Sequence, residues 1–399
     1  LSMLFQAMNR ETGKRQRNLD ESIARFPYVN GGIFAEPASI PSFDSSMREL
    51  LLQACAFNWS AISPAIFGSL FQAVKDAQAR RELGEHYTTE TNILKTIQPL
   101  FLDELRTRFT DAVHDIGKLK RLRADLGQLR VLDPACGCGN FLVVAYRELR
   151  TLDLDILKRL QELGDNSWKS PTAFFLKEDL PVTLDHFAGI EIEEWPARIA
   201  STALHLVDHQ ANQAMELALG QAPDPLPLDR IETIHVHNAL HADWSQIFPA
   251  SPQVMIVGNP PFIGHKTKTR DQVEDLKAVW GKDYDGYLDY VTAWYKKAAD
   301  YFHYTRGGRF AFVSTNSISQ GLPVAALFKP ILAAGWRIRF AHQTFAWTSE
   351  APGLAHVHCV IVGFDKREKT PATLYSYDTP NLEISRGCGL DRRNEWRKV

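Results

Sequence analysis

Cysteine is scarce in this chain of 399 residues. There are five, Cys55, Cys136, Cys138, Cys359 and Cys388, too few and too scattered for a disulfide framework, and the usage suits a reducing cytoplasm. No apolar run approaches the length of a membrane span and no signal peptide is visible, so no membrane partner is expected. An excess of positive charge is missing as well: 45 Lys and Arg against 47 Asp and Glu leave a net charge of −2. A free-standing nucleic-acid-binding domain is usually basic, so contact with nucleic acid must come from local patches or from a further domain. The glycine-rich loop at 133–141 has no Lys followed by Ser or Thr and no GxGxxG, which excludes a P-loop and a dinucleotide fingerprint. Cys136 and Cys138 are spaced C-x-C without a second Cys or His pair at finger spacing, so no metal is expected.

What is present is an ordinary globular composition, 45% hydrophobic and 23% charged, with ample material for a core and a length that suggests two to three domains. Short apolar runs end abruptly at polar, glycine- or proline-bearing tips. Leu129–Leu132 runs into Asp133-Pro134-Ala135-Cys136-Gly137-Cys138-Gly139-Asn140-Phe141, and Phe187–Ile192 reads as a second strand with an acid, Glu191, at its end. Ile234–His237 is a candidate third strand followed by Asn238-Ala239, and Val254–Gly258 a fourth that stops at Asn259-Pro260-Pro261-Phe262. Helical patterns separate them: from Asn140, from Glu193, over Tyr287–Phe302 and over Ala325–Ala334. Strands follow at Phe310–Ser314, Trp336–Phe340 and His356–Phe364, the last two separated only by a loop, which allows an antiparallel hairpin. The alternation predicts an α/β protein with a doubly wound, mostly parallel sheet behind an N-terminal helical region.

The strand tips carry the chemistry, because ligands of open α/β sheets bind at the carboxyl ends of the strands. A carboxylate at the tip of the first strand, Asp133, repels a phosphate and attracts an ammonium. Glycines in the loop admit close backbone approach, and an acid on the second strand can accept both ribose hydroxyls. A ligand with an amino acid at one end and a nucleoside at the other fits, and S-adenosylmethionine is such a ligand. The prolines after Asn259 hold stiff, extended backbone. A carboxamide and an aromatic ring on that backbone suit a flat, polar-edged substrate such as a nucleobase. The stretch from His265 through Lys266, Lys268 and Arg270 to Gly286 is a candidate DNA-facing loop.

Taken together, 133–141 and Gly258-Asn259-Pro260-Pro261-Phe262 resemble the amino-group DNA methyltransferases that modify adenine. Gly84-Glu85-His86-Tyr87-Thr88 looks like their additional cofactor-contact motif, and its place ahead of the glycine loop is that of the gamma arrangement. More narrowly, Arg81–Thr88, the glycine loop, 189–198 and Phe26–Pro37 resemble the MmeI family of combined restriction-modification proteins. The resemblance implies a class I S-adenosylmethionine-dependent methyltransferase acting on the N6 amine of a flipped adenine in double-stranded DNA, in the bacterial cytoplasm. It implies that Asp133 and the turn of Ala135, Cys136, Gly137 and Gly139 hold the methionine end, that Glu191 binds the ribose, and that Ile192, Asn238 and Ala239 meet the adenine. By the same resemblance, Tyr87 and Thr88 would close over the cofactor, Asn259 and Pro260 would act on the amine, and Phe262 would stack on the target base. Two positions depart from the pattern: Phe262 stands where many relatives have Tyr, and Cys138 where Ser is frequent.

The expected organisation is a helical connector over 1–80, the methyltransferase domain over 81–370 and the start of a further region over 371–399. The opening Leu1-Ser2-Met3 and the polar close at Arg392–Val399 suggest a fragment of a longer polypeptide, and the resemblance implies nuclease and target-recognition domains outside it. Two alternatives stand beside this reading. A protein glutamine methyltransferase also uses Asn-Pro-Pro with an aromatic. A non-catalytic DNA-binding or scaffolding module would keep the fold without the chemistry.

Overall fold

The computed structural model describes residues 1–29, 34, 40, 42–59, 62–66, 68, 88–168, 179–223, 228, 233–264, 267–347, 357–366, 371–377 and 393–395. Its strands are β1 (Arg130–Asp133), β2 (Phe187–Glu191), β3 (Ile234–Val236), β4 (Val254–Gly258), β5 (Arg309–Thr315), β6 (Arg337–Trp347), β7 (Val357–Asp365), β8 (Thr373–Tyr375) and β9 (Arg393–Glu395).

Successive strand side chains point to opposite faces, and here both faces meet apolar partners. In β4, Val254 and Ile256 join one hydrophobic cluster, while Met255 and Val257 join the other. In β5, Phe310 and Phe312 divide in the same way from Ala311 and Val313. A sheet buried on both faces needs a helical layer on each side, which is why these strands read as continuous apolar runs. Helices Glu90–Ile97, Asn140–Glu162 and Glu194–Leu219 pack into the first cluster, and Arg270–Trp280, Thr292–Tyr301 and Leu322–Ala333 into the second.

The sheet order is β3-β2-β1-β4-β5-β7-β6-β8-β9. The first five strands pair in parallel, whereas β7 enters antiparallel between β5 and β6. The doubly wound, mostly parallel sheet expected from the sequence is therefore present, with the antiparallel pair at its far side. The parallel order places the carboxyl ends of β3, β2, β1 and β4 side by side along one edge, with neighbouring strands about 4.8 Å apart. Between the two long helices of the first layer runs a buried brace. Arg150 donates to Tyr146 Oη at 2.7 Å, to Asp208 at 3.1 Å and to Asn212 at 2.8 Å.

Several elements differ from the sequence reading, among them helix Arg270–Trp280, which forms within the stretch expected as a loop. The helix expected from Tyr287 begins at Thr292. Asp285 and Asp289 take the amides of Tyr287 and Val291 with their side chains, a local competition that replaces helix with turn. Strand β6 continues to Trp347 because β7 pairs with it throughout, across two irregularities in register. Strands β8 and β9 were not foreseen: each has three residues, and β8 gains its place by parallel pairing with β6. In the first 80 residues the described helices include Ser2–Met8, Glu21–Ala24 and Ser45–Ala56, with a short 3-10 turn at Thr12–Lys14. Residues 67 and 69–80 of the expected helical connector lie outside the described residues.

Gly363 of β7 lies directly across from Phe340 of β6, and a Cβ there would sit 2.1 Å from the Phe340 ring. Gly363→Ala is therefore expected to destabilise the fold by about 1–3 kcal/mol, as overpacking does, read as a lower urea midpoint.

Candidate active site

Four adjacent strand tips surround a cavity of about 240 Å³. Asp133 ends β1, Glu191 ends β2, Asn238 follows β3 and Asn259 follows β4, and all four side chains line it.

Asp133 is buried to 1% exposure. Its Oδ1 accepts the Ala135 amide at 3.1 Å. Burial, with the nearby charge of Glu191, pushes its pKa up to about 8. Space around it is tight: a Cβ on Gly258 would lie 2.5 Å from the same oxygen. The glycine ahead of Asn259 is thus what lets β4 pass beside the carboxyl group. Glu191 is fixed by backbone. Its Oε2 accepts the Gly137 amide at 2.9 Å and its Oε1 the Glu193 amide at 3.0 Å, so the second strand's acid and the first strand's loop hold one another.

Within the glycine loop the residues divide by task. Gly137 has a φ of 52° and nothing within 4 Å of the place a side chain would take, so it opens the loop to the cavity. Gly139, with a φ of 82°, does not line the cavity. A Cβ there would meet Ala200 at 2.9 Å, so this glycine lets the loop rest on helix Glu194–Leu219. Cys136 sends its thiol into the core against Gly189, where a Cβ would be 2.6 Å from Sγ; burial holds that thiol well above its usual pKa. Ala135, Ile192 and Ala239 line the cavity. The Asn238 side-chain oxygen accepts the Leu240 amide at 2.9 Å, which fixes the tip of β3.

At the β4 tip, Asn259 Nδ2 donates to Thr88 Oγ1 at 3.1 Å, joining the chain's two distant motifs. Pro261 lines the cavity, whereas Pro260 is buried outside its lining and Phe262 is half-buried between the two core clusters. Tyr87 and the rest of Gly84–Tyr87, with His265 and Lys266, lie outside the described residues. Lys268, described, donates to the backbone of Gly286 and Leu288.

Several wall residues had no sequence signal of their own. Trp294 donates Nε1 to Pro134 O at 2.9 Å and packs edge-on against Tyr290. Tyr290 Oη donates to Asp275 at 2.6 Å, and Asp275 also meets His241 Nε2 at 2.6 Å. Asn140, which opens helix Asn140–Glu162, lines the cavity with a buried Oδ1 that has no hydrogen-bond partner among the described residues. Asp289, 4% exposed, takes the Ile263 amide at 3.1 Å and the Val291 amide at 3.2 Å on Oδ1, and the Ser317 hydroxyl at 3.2 Å on Oδ2. It clamps the backbone just past Phe262 to the end of β5. Tyr290 and Trp294 looked like helix positions in the sequence, and Asp275 lay in the stretch expected as a DNA-facing loop, which the structure folds into helix Arg270–Trp280 behind a Thr269–Gln272 capping box; only the tertiary fold turns them toward the tips.

The chain is similar to known proteins. The family model described as MmeI, DNA-methyltransferase domain, matches residues 109–376. DNA methyltransferase A of Bacillus subtilis (strain 168) is 39% identical over 370 residues, which cover 91% of this chain and 41% of that protein. The solved structure of the Type IIL restriction-modification enzyme MmeI in complex with DNA aligns with a TM-score of 0.88 at 44% identity, over 99% of this chain and 51% of that one. The type IIG restriction endonuclease BpuSI aligns over 95% of this chain and 38% of its own, at a TM-score of 0.50 and 13% identity, a likeness of fold. The chain thus spans about half or less of the length of these relatives.

Asp289→Ala leaves two buried amides without an acceptor and is expected to cost roughly 1–3 kcal/mol of stability. Asp289→Asn, which retains an acceptor oxygen, is expected to cost less than half of that in the same denaturation experiment.

Proposed function

The chain belongs to the MmeI DNA-methyltransferase family, and from that premise we propose that it methylates the exocyclic N6 amine of a flipped adenine in double-stranded DNA as part of a restriction-modification system. The observation that carries the reading is the row of Asp133, Glu191 and Asn259 on adjacent strand tips around one cavity. We take 81–370 as the methyltransferase domain, 1–80 as a helical connector and 371–399 as the start of a further region. Nuclease and target-recognition domains are the proposed neighbours, and the bacterial cytoplasm the proposed location.

The residues present fit S-adenosylmethionine. Asn140 Oδ1 is a buried acceptor without a partner among the described residues, a costly state in the absence of a donor, and Asp133 adds a second acceptor close to the loop. Asn140 and Asp133 would receive the ligand's ammonium, with Ala135, Gly137 and the backbone of Cys136 forming the cradle around its amino-acid end. Glu191 would take the ribose hydroxyls, since a carboxylate oxygen accepts more than one hydrogen bond. Ile192 and Ala239 would pack on the adenine, and the Asn238 carboxamide would meet its edge. Tyr87 and Thr88 would close the cavity. When bound, S-adenosylmethionine supplies a methyl group made electrophilic by its sulfonium.

The target amine is a poor nucleophile because its lone pair is delocalised into the ring. The Asn259 side-chain oxygen and the Pro260 carbonyl each accept one of its N–H bonds, which localises the lone pair and aims it. Positioning and fixed dipoles then supply the catalysis, and no strong base is needed. Flipping costs a few kcal/mol, and stacking on Phe262 returns about 1–3 kcal/mol.

Asn259→Ala is expected to abolish transfer of labelled methyl to DNA while leaving the affinity for S-adenosylhomocysteine near wild type. Comparable transfer by the mutant would remove Asn259 from the chemistry. Affinity is also expected to depend on pH. Burial raises the Asp133 pKa from its ordinary 3.8 to about 8, so between these values the folded protein holds a proton there that the unfolded chain releases. That group's contribution to stability is full below its unfolded value and is lost as pH rises toward 8. A cationic ligand group needs the carboxylate, so binding below pH 8 expels the proton. Affinity should rise by up to tenfold per pH unit from 6 to 8 and level off above. Calorimetry in buffers of different ionisation heat would show the released proton. Asp133→Asn should remove the dependence; a flat wild-type profile would contradict the assignment.

A further inference from the structure

Thr88 lies beside Asn259, and its surroundings hold it there. Only 5% of its surface is exposed, and it leads into helix Glu90–Ile97. That helix is anchored in three ways. Ile93 and Ile97 are fully buried. Arg147, from the helix after the glycine loop, grips Glu90 with hydrogen bonds of 3.0 and 2.6 Å. His342 of β6 approaches Lys95 O at 2.9 Å through Nε2. The Thr88 hydroxyl is therefore carried on a rigid element, independent of the β4 tip, and it meets Asn259 Nδ2 at 3.1 Å.

Resting on the transfer chemistry proposed above, we infer that Thr88 is a positioning residue for Asn259: it holds the carboxamide by its nitrogen, so that the oxygen is turned toward the reacting amine. A carboxamide has an acceptor end and a donor end of nearly equal size, and only the acceptor end strengthens the nucleophile. The prolines that follow stiffen the backbone of Asn259 but leave its side-chain torsions to be set by contacts, and Thr88 supplies one from outside the loop. A group that must stand within a fraction of an ångström of its productive place needs support of this kind. The same contact ties the segment entering the Glu90 helix to the catalytic loop, so the two motifs on either side of the cavity are assembled together.

This role differs measurably from closure over the cofactor. A cofactor contact moves affinity; an orienting contact moves the rate at saturation. Thr88→Val keeps the shape of the side chain and removes the acceptor, whereas Thr88→Ser keeps the acceptor. The test uses the full-length protein, tritium-labelled S-adenosylmethionine and genomic DNA from a methylation-deficient host. Single-turnover transfer at saturating cofactor is measured beside calorimetric binding of S-adenosylhomocysteine and a thermal melt. The expected result for Thr88→Val is a rate about tenfold lower, the scale of one lost hydrogen bond of this kind. Its affinity should stay within about threefold of wild type on the same scale, and Thr88→Ser should restore most of the rate. A wild-type rate in Thr88→Val would overturn the inference. So would a loss confined to affinity, or a folded Thr88→Ser as slow as Thr88→Val. Absence of any transfer by the wild-type protein would instead overturn the reading on which the inference rests.

Discussion

A carboxyl group almost cut off from water governs the geometry of this protein. Asp133 stands at the end of the central strand with a second acid, Glu191, acting on it from the neighbouring strand. Burial, with a second acid nearby, holds a proton on Asp133 up to a pH of about 8. The surrounding architecture accommodates the pair. Gly258 leaves room on the β4 side, and backbone amides of Ala135, Gly137 and Glu193 hold the carboxylate oxygens. The loop between β1 and helix Asn140–Glu162 is pinned in turn by Trp294 from the opposite helical layer.

Placement of these groups follows from burial on two faces. Alternate side chains of β4 and β5 enter separate apolar clusters, and a slip of one residue would send each to the wrong side. Register is therefore fixed far from the cavity, and the tips inherit it. The second helical layer adds Asp289, whose carboxylate connects the loop of Asn259 and Phe262 with the end of β5. The loop of Asn259 and Phe262 is thus held from both sides, by Thr88 and by Asp289, while its own prolines keep it extended.

Much of this was legible in the sequence because strand tips announce themselves. Asp133, Glu191 and Asn259 each follow a short apolar run, Asn238 follows the alternating Ile234-His235-Val236-His237, and each of the four lines the cavity. Gly139 and the Cys136 thiol show the limit of that approach. A glycine or cysteine in a nucleotide-type loop is as readily explained by packing, and here Ala200 and Gly189 are what they meet. Asp289 and Tyr290 were hidden for another reason. They sit in a stretch with helical apolar spacing, and it takes the side-chain hydrogen bonds of Asp285 and Asp289 to turn that stretch into a loop. Strand β8 depends wholly on pairing with β6, which no three-residue window reveals. Asn140 reads in the sequence as part of the glycine-loop motif and the start of a helix; that its side-chain oxygen is buried without a partner among the described residues emerges only from the structure.

Whether these tips assemble an adenine N6-methyltransferase can be tested in cells. The most direct measurement is the nucleoside composition, by mass spectrometry, of DNA from a methylation-deficient host expressing the full-length protein. N6-methyladenine above the level of the empty-vector control, absent when Asn259→Ala is expressed to the same level, is the predicted result. Methylated cytosine in its place, or no methylated base despite folded and cofactor-binding protein, would contradict the account.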